Sequence, residues 1–122
     1  MRLFKDIIDE GPAMVLILSA DVHFRVLYSN CAFIRTLHVS TASLLGRSWW
    51  TIVHPEDKAS LVPALSGLLL APMSASSTKA LRCRIQPDIS LPYRSVEVRF
   101  VNGSQGILCF LWESVLWPQL QP

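Results

Sequence analysis

Charge is scarce in this chain. Only 16% of its 122 residues are Asp, Glu, Lys or Arg, against 51% hydrophobic, and the eleven basic and nine acidic residues are scattered. Without a basic run or an arginine cluster, the electrostatic footprint of a nucleic-acid binder is missing, and no direct nucleic-acid contact is expected. Long hydrophobic runs are missing too: no apolar stretch approaches the ~20 residues that a bilayer-spanning helix needs, so no membrane partner is expected. Cysteine is limited to Cys31, Cys83 and Cys109, an odd number without Cys-x-x-Cys spacing and each in an apolar stretch. That reads as free buried thiols of a reducing compartment, not as a disulfide framework. The start, MRLFKDIIDEGP, carries Asp6, Asp9 and Glu10 and no apolar core of a signal peptide. An intracellular location, cytoplasmic or nuclear, is expected.

What the chain has in excess is apolar surface. A length of 122 residues supports one domain with one core. A composition this apolar outruns what so small a core absorbs, so part of it is expected to meet a partner.

Residues 2–10 place Leu3, Phe4, Ile7 and Ile8 at helical spacing and Gly11-Pro12 stops the pattern, giving an N-terminal helix or linker over 1–12. Met14 to Ser19 and His23 to Tyr28 read as two strands joined by a short turn at Ala20-Asp21-Val22. The first strand is apolar at every position from 14 to 18, which suits burial on both faces. From Tyr28 to Asp57 the period changes, and helix starts crowd together. Ser29 or Asn30 caps a helix holding Cys31, Phe33, Ile34 and Leu37; Ser40 starts another, over Thr41 to Leu45, that Gly46 can end; Ser48 caps a turn with Trp49, Trp50, Ile52 and Val53. His54-Pro55-Glu56-Asp57 then opens the longest helix, roughly 55 to 70, with Pro at its first position and two carboxylates in its first turn. Pro63 is expected to bend it.

After a small-residue loop over 71–77, three more strands are expected, at Thr78 to Gln86, Tyr93 to Val101 and Ile107 to Trp112. The first two alternate, with Leu81, Cys83, Ile85 and Val96, Val98, Phe100 on their apolar sides. The third is apolar on both sides, like the first strand of the chain.

This order of elements, with Tyr28-Ser29-Asn30 followed by Ala32-Phe33, then Leu44-Leu45-Gly46-Arg47-Ser48, then His54-Pro55-Glu56-Asp57, resembles a PAS domain over 13–114, with a linker over 115–122. The resemblance implies an α+β fold: a five-stranded antiparallel sheet of order 2-1-5-4-3, helices on one face, and a central pocket. It also implies that the two doubly apolar strands lie side by side in the middle. Their outward residues would form an apolar patch, to be covered by the N-terminal helix or by a second protein. Val15, Ile17, Ile107, Cys109 and Leu111 are the expected interface, with the opposite alternation left open.

Asn30-Cys31-Ala32-Phe33-Ile34 is similar in wording to the flavin-adduct motif Asn-Cys-Arg-Phe-Leu-Gln of the LOV subclass. The LOV motif, however, follows the Leu-Gly element, where this chain has Ser48-Trp49-Trp50-Thr51. Cys31 is therefore read as a buried helix thiol and the chain as outside that subclass. Some PAS domains bind haem through a His of the long helix, and here that helix has no His after its cap. His23, His38 and His54 have no metal-ligand spacing and are read as capping or surface residues. No cofactor is expected, a small apolar ligand or haem being the alternative, in a pocket near Phe33, Trp50 and Leu65. Glu56 and Asp57 belong to a helix first turn, and no catalytic arrangement accompanies them, so the chain is not read as an enzyme.

The chain also departs from the resemblance. Neither hairpin connection carries Asp-Gly, and Leu111-Trp112-Glu113-Ser114 stands where many sensor-kinase PAS domains end in Asp-Ile-Thr. The expected function is a PAS signalling module of an intracellular regulator, transcriptional regulators included, acting by homo- or heterodimerisation with a PAS-containing or other protein. The alternative is a ligand sensor with its pocket between sheet and helices.

Overall fold

A computed structural model describes residues 13–70 and 77–113. The expected N-terminal helix over 2–10 and the linker after 114 lie outside the described residues. Strand β1 (Met14–Leu18) pairs antiparallel with β2 (Val26–Ser29). The turn between them is built on Asp21, whose carboxylate accepts from the backbone N–H of His23 at 2.9 Å and of Phe24 at 3.2 Å, and from the Ser19 hydroxyl. These bonds, the His23 N–H first, hold the Asp21 carboxyl below the usual aspartate range. Phe24 takes a left-handed φ of 47° at the end of the turn, and its buried ring meets Trp50 edge-on at 5.8 Å. β2 is shorter than expected because His23 and Phe24 belong to that turn.

Four helices follow among the described residues. Asn30 starts α1 (Cys31–Leu37), its Oδ1 accepting from Phe33 N–H at 3.2 Å and from Val15 N–H at 3.0 Å, while its Nδ2 donates to the Ala13 carbonyl. One buried side chain thus caps a helix and fixes it to β1. The helix ends at His38, left-handed at φ 56°. Ser40 caps α2 (Thr41–Leu44) and Ser48 caps α3 (Trp49–Ile52), each through its hydroxyl oxygen. In α4 (Pro55–Leu70), His54 Nδ1 accepts from Glu56 N–H at 3.1 Å. The helix is continuous through Pro63, which is exposed, so the carbonyl left without its helical bond lies on a solvent-facing side.

Strands β3 (Leu81–Ile85), β4 (Arg94–Gly103) and β5 (Gly106–Glu113) complete one antiparallel sheet of order β2-β1-β5-β4-β3. β4 and β5 run longer than the sequence suggested, because Asn102 pairs with Ile107 and Gly103 with Gly106, leaving a two-residue turn. Gly106 needs its φ of 142°, and a Cβ there would stand 2.4 Å from the Leu18 carbonyl oxygen. Both sheet edges are met by crossing chain. On the β2 side, Val26 bonds Arg47 and Gly46 through its backbone; on the β3 side, Arg84 bonds the His54 N–H and the Asp57 carboxylate.

The core lies between helices and sheet. Met14, Leu16, Leu18, Val96, Val98, Phe100, Ile107, Cys109 and Leu111 meet Phe33, Leu37, Trp49, Ile52, Leu61 and Leu65, all buried.

Candidate functional site

Residues directly opposite in an antiparallel pair point to the same side of the sheet. Met14 pairs with Leu111, Leu16 with Cys109 and Leu18 with Ile107, and all six are buried in the helix-facing core. Val15 pairs with Phe110 and Ile17 with Leu108, on the other side. The expected interface set therefore divides: Ile107, Cys109 and Leu111 belong to the core, while Val15 and Ile17 belong to the outer face. In this register the odd-numbered residues of β1 share a side with the even-numbered residues of β5. Leu108, Phe110 and Trp112, the alternation of β5 that the sequence left open, lie on the outer face.

The outer face changes character across the sheet. Ile17 lies opposite Tyr28 on β2, and Leu108 lies opposite Val101 on β4. Ile17, Leu108, Phe110 and Val101 are half-buried, Val15 is buried, and Trp112 is 42% exposed. Towards β4 and β3 the face turns polar, with Arg99 opposite Phe110 and Glu97 opposite both Trp112 and Arg82. Trp112 Nε1 donates to Glu97 Oε2 at 3.0 Å, and Arg82 Nε stands 3.5 Å from Glu97 Oε1. A single carboxylate so orients the exposed tryptophan across the strands.

At the edge of the sheet the start of α4 is tied to β3. The Asp57 carboxylate accepts from Arg84 N–H at 2.8 Å and from its guanidinium at two further points, both at 3.0 Å. The Arg84 side chain holds the Asp57 carboxyl below its usual range, and Asp57, with Glu56, raises that of Arg84. These carboxylates serve the joint between helix and strand.

The expected pocket residues are partly together. Phe33 and Leu65 are both fully buried in the core. Trp50 sits at its margin, between the Phe24 ring and the Lys58 ammonium at 5.5 Å from the indole centroid. Trp49 takes the core position instead, edge-on to Phe100 at 5.7 Å, and its indole N–H is buried without a hydrogen-bond partner among the described residues. Burial pushes the Cys83 thiol up to about 12 and the Cys109 thiol well above its ordinary value. Both are apolar core groups at neutral pH, as expected, whereas Cys31, expected to be buried with them, is exposed on α1. No group of three or more His, Cys, Asp or Glu that could hold a metal ion occurs among the described residues.

The fold is α+β, with helices on one face of an antiparallel sheet and a largely apolar strip on the other. No protein-family model matches the sequence, and no curated protein matches it. Solved structures do match. The PAS domain of an HTR-like protein from Haloarcula marismortui is 20% identical at a TM-score of 0.68, covering 92% of this chain and 89% of that one. A PAS domain from Colwellia psychrerythraea is 10% identical at a TM-score of 0.71, covering 92% and 94%. The PAS domain of the fruit-fly ELK potassium channel is 10% identical at a TM-score of 0.68, also covering 92% and 94%. The chain has the PAS fold.

Proposed function

We propose that this domain is a signalling module that works by protein association through the outer face of its sheet, in a non-catalytic, regulatory role. The observation that carries this reading is the strip of Ile17, Leu108, Phe110 and exposed Trp112 on the side away from the helices. Burying it against a partner gains the hydrophobic free energy that the core has no room to use, and specific interfaces bury about 1,200–2,000 Å² in all. Domains of similar fold occur in a potassium channel, as its PAS domain, and in a sensory box sensor histidine kinase/response regulator, which supports a regulatory role. This reading gives Cys31 no photochemistry, and it places the module inside the cell, in signalling or transcriptional regulation. A photo-crosslinking residue at position 110 should form adducts with a partner chain in cells, and one at position 62 on α4 should not. Absence of any adduct at position 110 would sink the proposal.

A second reading is favoured by one atom. The Trp49 N–H, buried among apolar side chains without a partner among the described residues, can donate to an acceptor carried by a small molecule held between sheet and helices. Native mass spectrometry of the purified chain tests it by the mass of a retained ligand. An absorption band in the visible would identify that ligand as flavin or haem.

A further inference from the structure

The corner where α4 meets β3 depends on one imidazole. His54 Nδ1 accepts from the backbone N–H of Glu56 at 3.1 Å, its carbonyl accepts from Asp57 N–H at 2.9 Å, and its own N–H donates to the Arg84 carbonyl at 2.9 Å. Residue 54 thus caps α4 and clamps that helix to the edge strand. Nδ1 accepts only while it carries a lone pair, so the cap requires the neutral ring with its proton on Nε2. Ser40 and Ser48 cap their helices with oxygens that remain acceptors throughout the physiological range. Imidazole is the capping group whose charge changes there, between about pH 5 and 8.

The groups around the half-buried ring decide which form the fold keeps. From the segment before β4 comes the Tyr93 ring, with its centroid 4.7 Å away. From β3 comes Arg84, and from α4 come Glu56, Asp57 and Lys58, the last turned to the Trp50 indole. Arg47, ahead of α3, is bonded to the Pro87 and Thr51 carbonyls. The two carboxylates would attract an imidazolium, but both are engaged by the Arg84 guanidinium. The Asp57 carboxyl is held low first by the Arg84 side chain and last by His54, so the attraction between Asp57 and the ring is the weaker one. Against a proton on Nδ1 stand the Glu56 N–H in direct contact with it, the positive end of α4 and the Arg84 charge. The contact with the Glu56 donor is the closest of these and favours the neutral ring.

We propose that His54 is a proton-operated latch: a proton taken from solvent onto Nδ1 removes the acceptor of the Glu56 N–H and loosens the start of α4 from β3. The fold uses the neutral ring, so the latch is closed above the imidazole range and opens as pH falls through it. The Asp57–Arg84 joint gives way only below the ordinary aspartate range and stays outside this window. Amide exchange read by NMR on the full chain, each rate divided by that of an unstructured chain at the same pH, tests the latch. Opening at the Glu56 and His54 N–H groups should rise about fivefold from about pH 7.5 to about pH 5.5, the size of one typical cap. His54→Asn keeps a side-chain acceptor that does not titrate, and its profile should be flat; His54→Ser makes the same comparison if the Asn variant does not fold. His23→Gln and His38→Gln, at exposed positions, should keep the rise. Nitrogen-15 spectra of the ring should show Nδ1 without a proton at the upper pH. A ring protonated on Nδ1 there, an opening in the unaltered chain that does not change with pH, or the same rise in His54→Asn overturns the latch. A rise that disappears in His23→Gln or His38→Gln and persists in His54→Asn overturns it as well, by assigning the sensitivity to another histidine.

Discussion

Asn30 joins two elements through one amide. Its oxygen serves the N–H groups of Phe33 and Val15 and its nitrogen serves the Ala13 carbonyl, all in a fully buried place. Asn30→Ala should therefore cost about 2–4 kcal/mol, a lost cap plus a stranded strand donor, read from the urea midpoint. His38 offers the opposite change. It is exposed and holds a left-handed φ of 56° at the end of α1, where a side chain is disfavoured. His38→Gly should raise stability by about 1 kcal/mol in the same measurement. At this scale much was legible in the sequence. Ser40 and Ser48 act as caps where they were expected, because capping chemistry is local to a few residues. The choice between Ser29 and Asn30 was not legible, since the deciding bond runs to β1.

The helix–strand joint at Asp57 makes a statement about pH. Its carboxyl is held low chiefly by the Arg84 side chain. A depressed folded value means that the charged form is favoured by folding, so this stability is present above the ordinary aspartate range near ~3.9 and is lost as pH falls through the folded value. Asp57→Asn should flatten the acid limb of a stability-versus-pH curve in that window and leave the limb above neutrality unchanged. Element boundaries were legible to within a few residues, and the misses have local causes. β2 lost its first residues to the Asp21 turn, and β5 gained Gly106 because two glycines close the hairpin. The faces of β1 and β5 were not legible. Both strands are apolar at nearly every position, so alternation carried no sign, and the phase between them is fixed only by a non-local register. The adjacent Trp49 and Trp50 posed the same difficulty on a helix of one turn.

Across the whole molecule, neighbouring residues of one strand answer to different environments. Phe110→Glu places a charge on the outer face and should change the unfolding free energy by about 1 kcal/mol or less. Cys109→Asp places one among buried apolar side chains and should cost about 3–5 kcal/mol, enough to unfold much of the population. Circular dichroism melts of the two variants check the contrast, and equal melts would mean that the faces are misassigned. The overall strand order came from the resemblance carried by three short motifs, not from periodicity, which says nothing about which strands are neighbours.

The chain segments that cross the two sheet edges limit the kinds of assembly open to this domain. At Val26 the backbone donor and acceptor are taken by Arg47 and Gly46, and at Arg84 by the Asp57 carboxylate and the His54 N–H. An extended peptide seeking to join as a sixth strand finds the hydrogen-bonding positions there filled, which guards against edge-to-edge polymerisation in a chain this rich in β-branched and aliphatic residues.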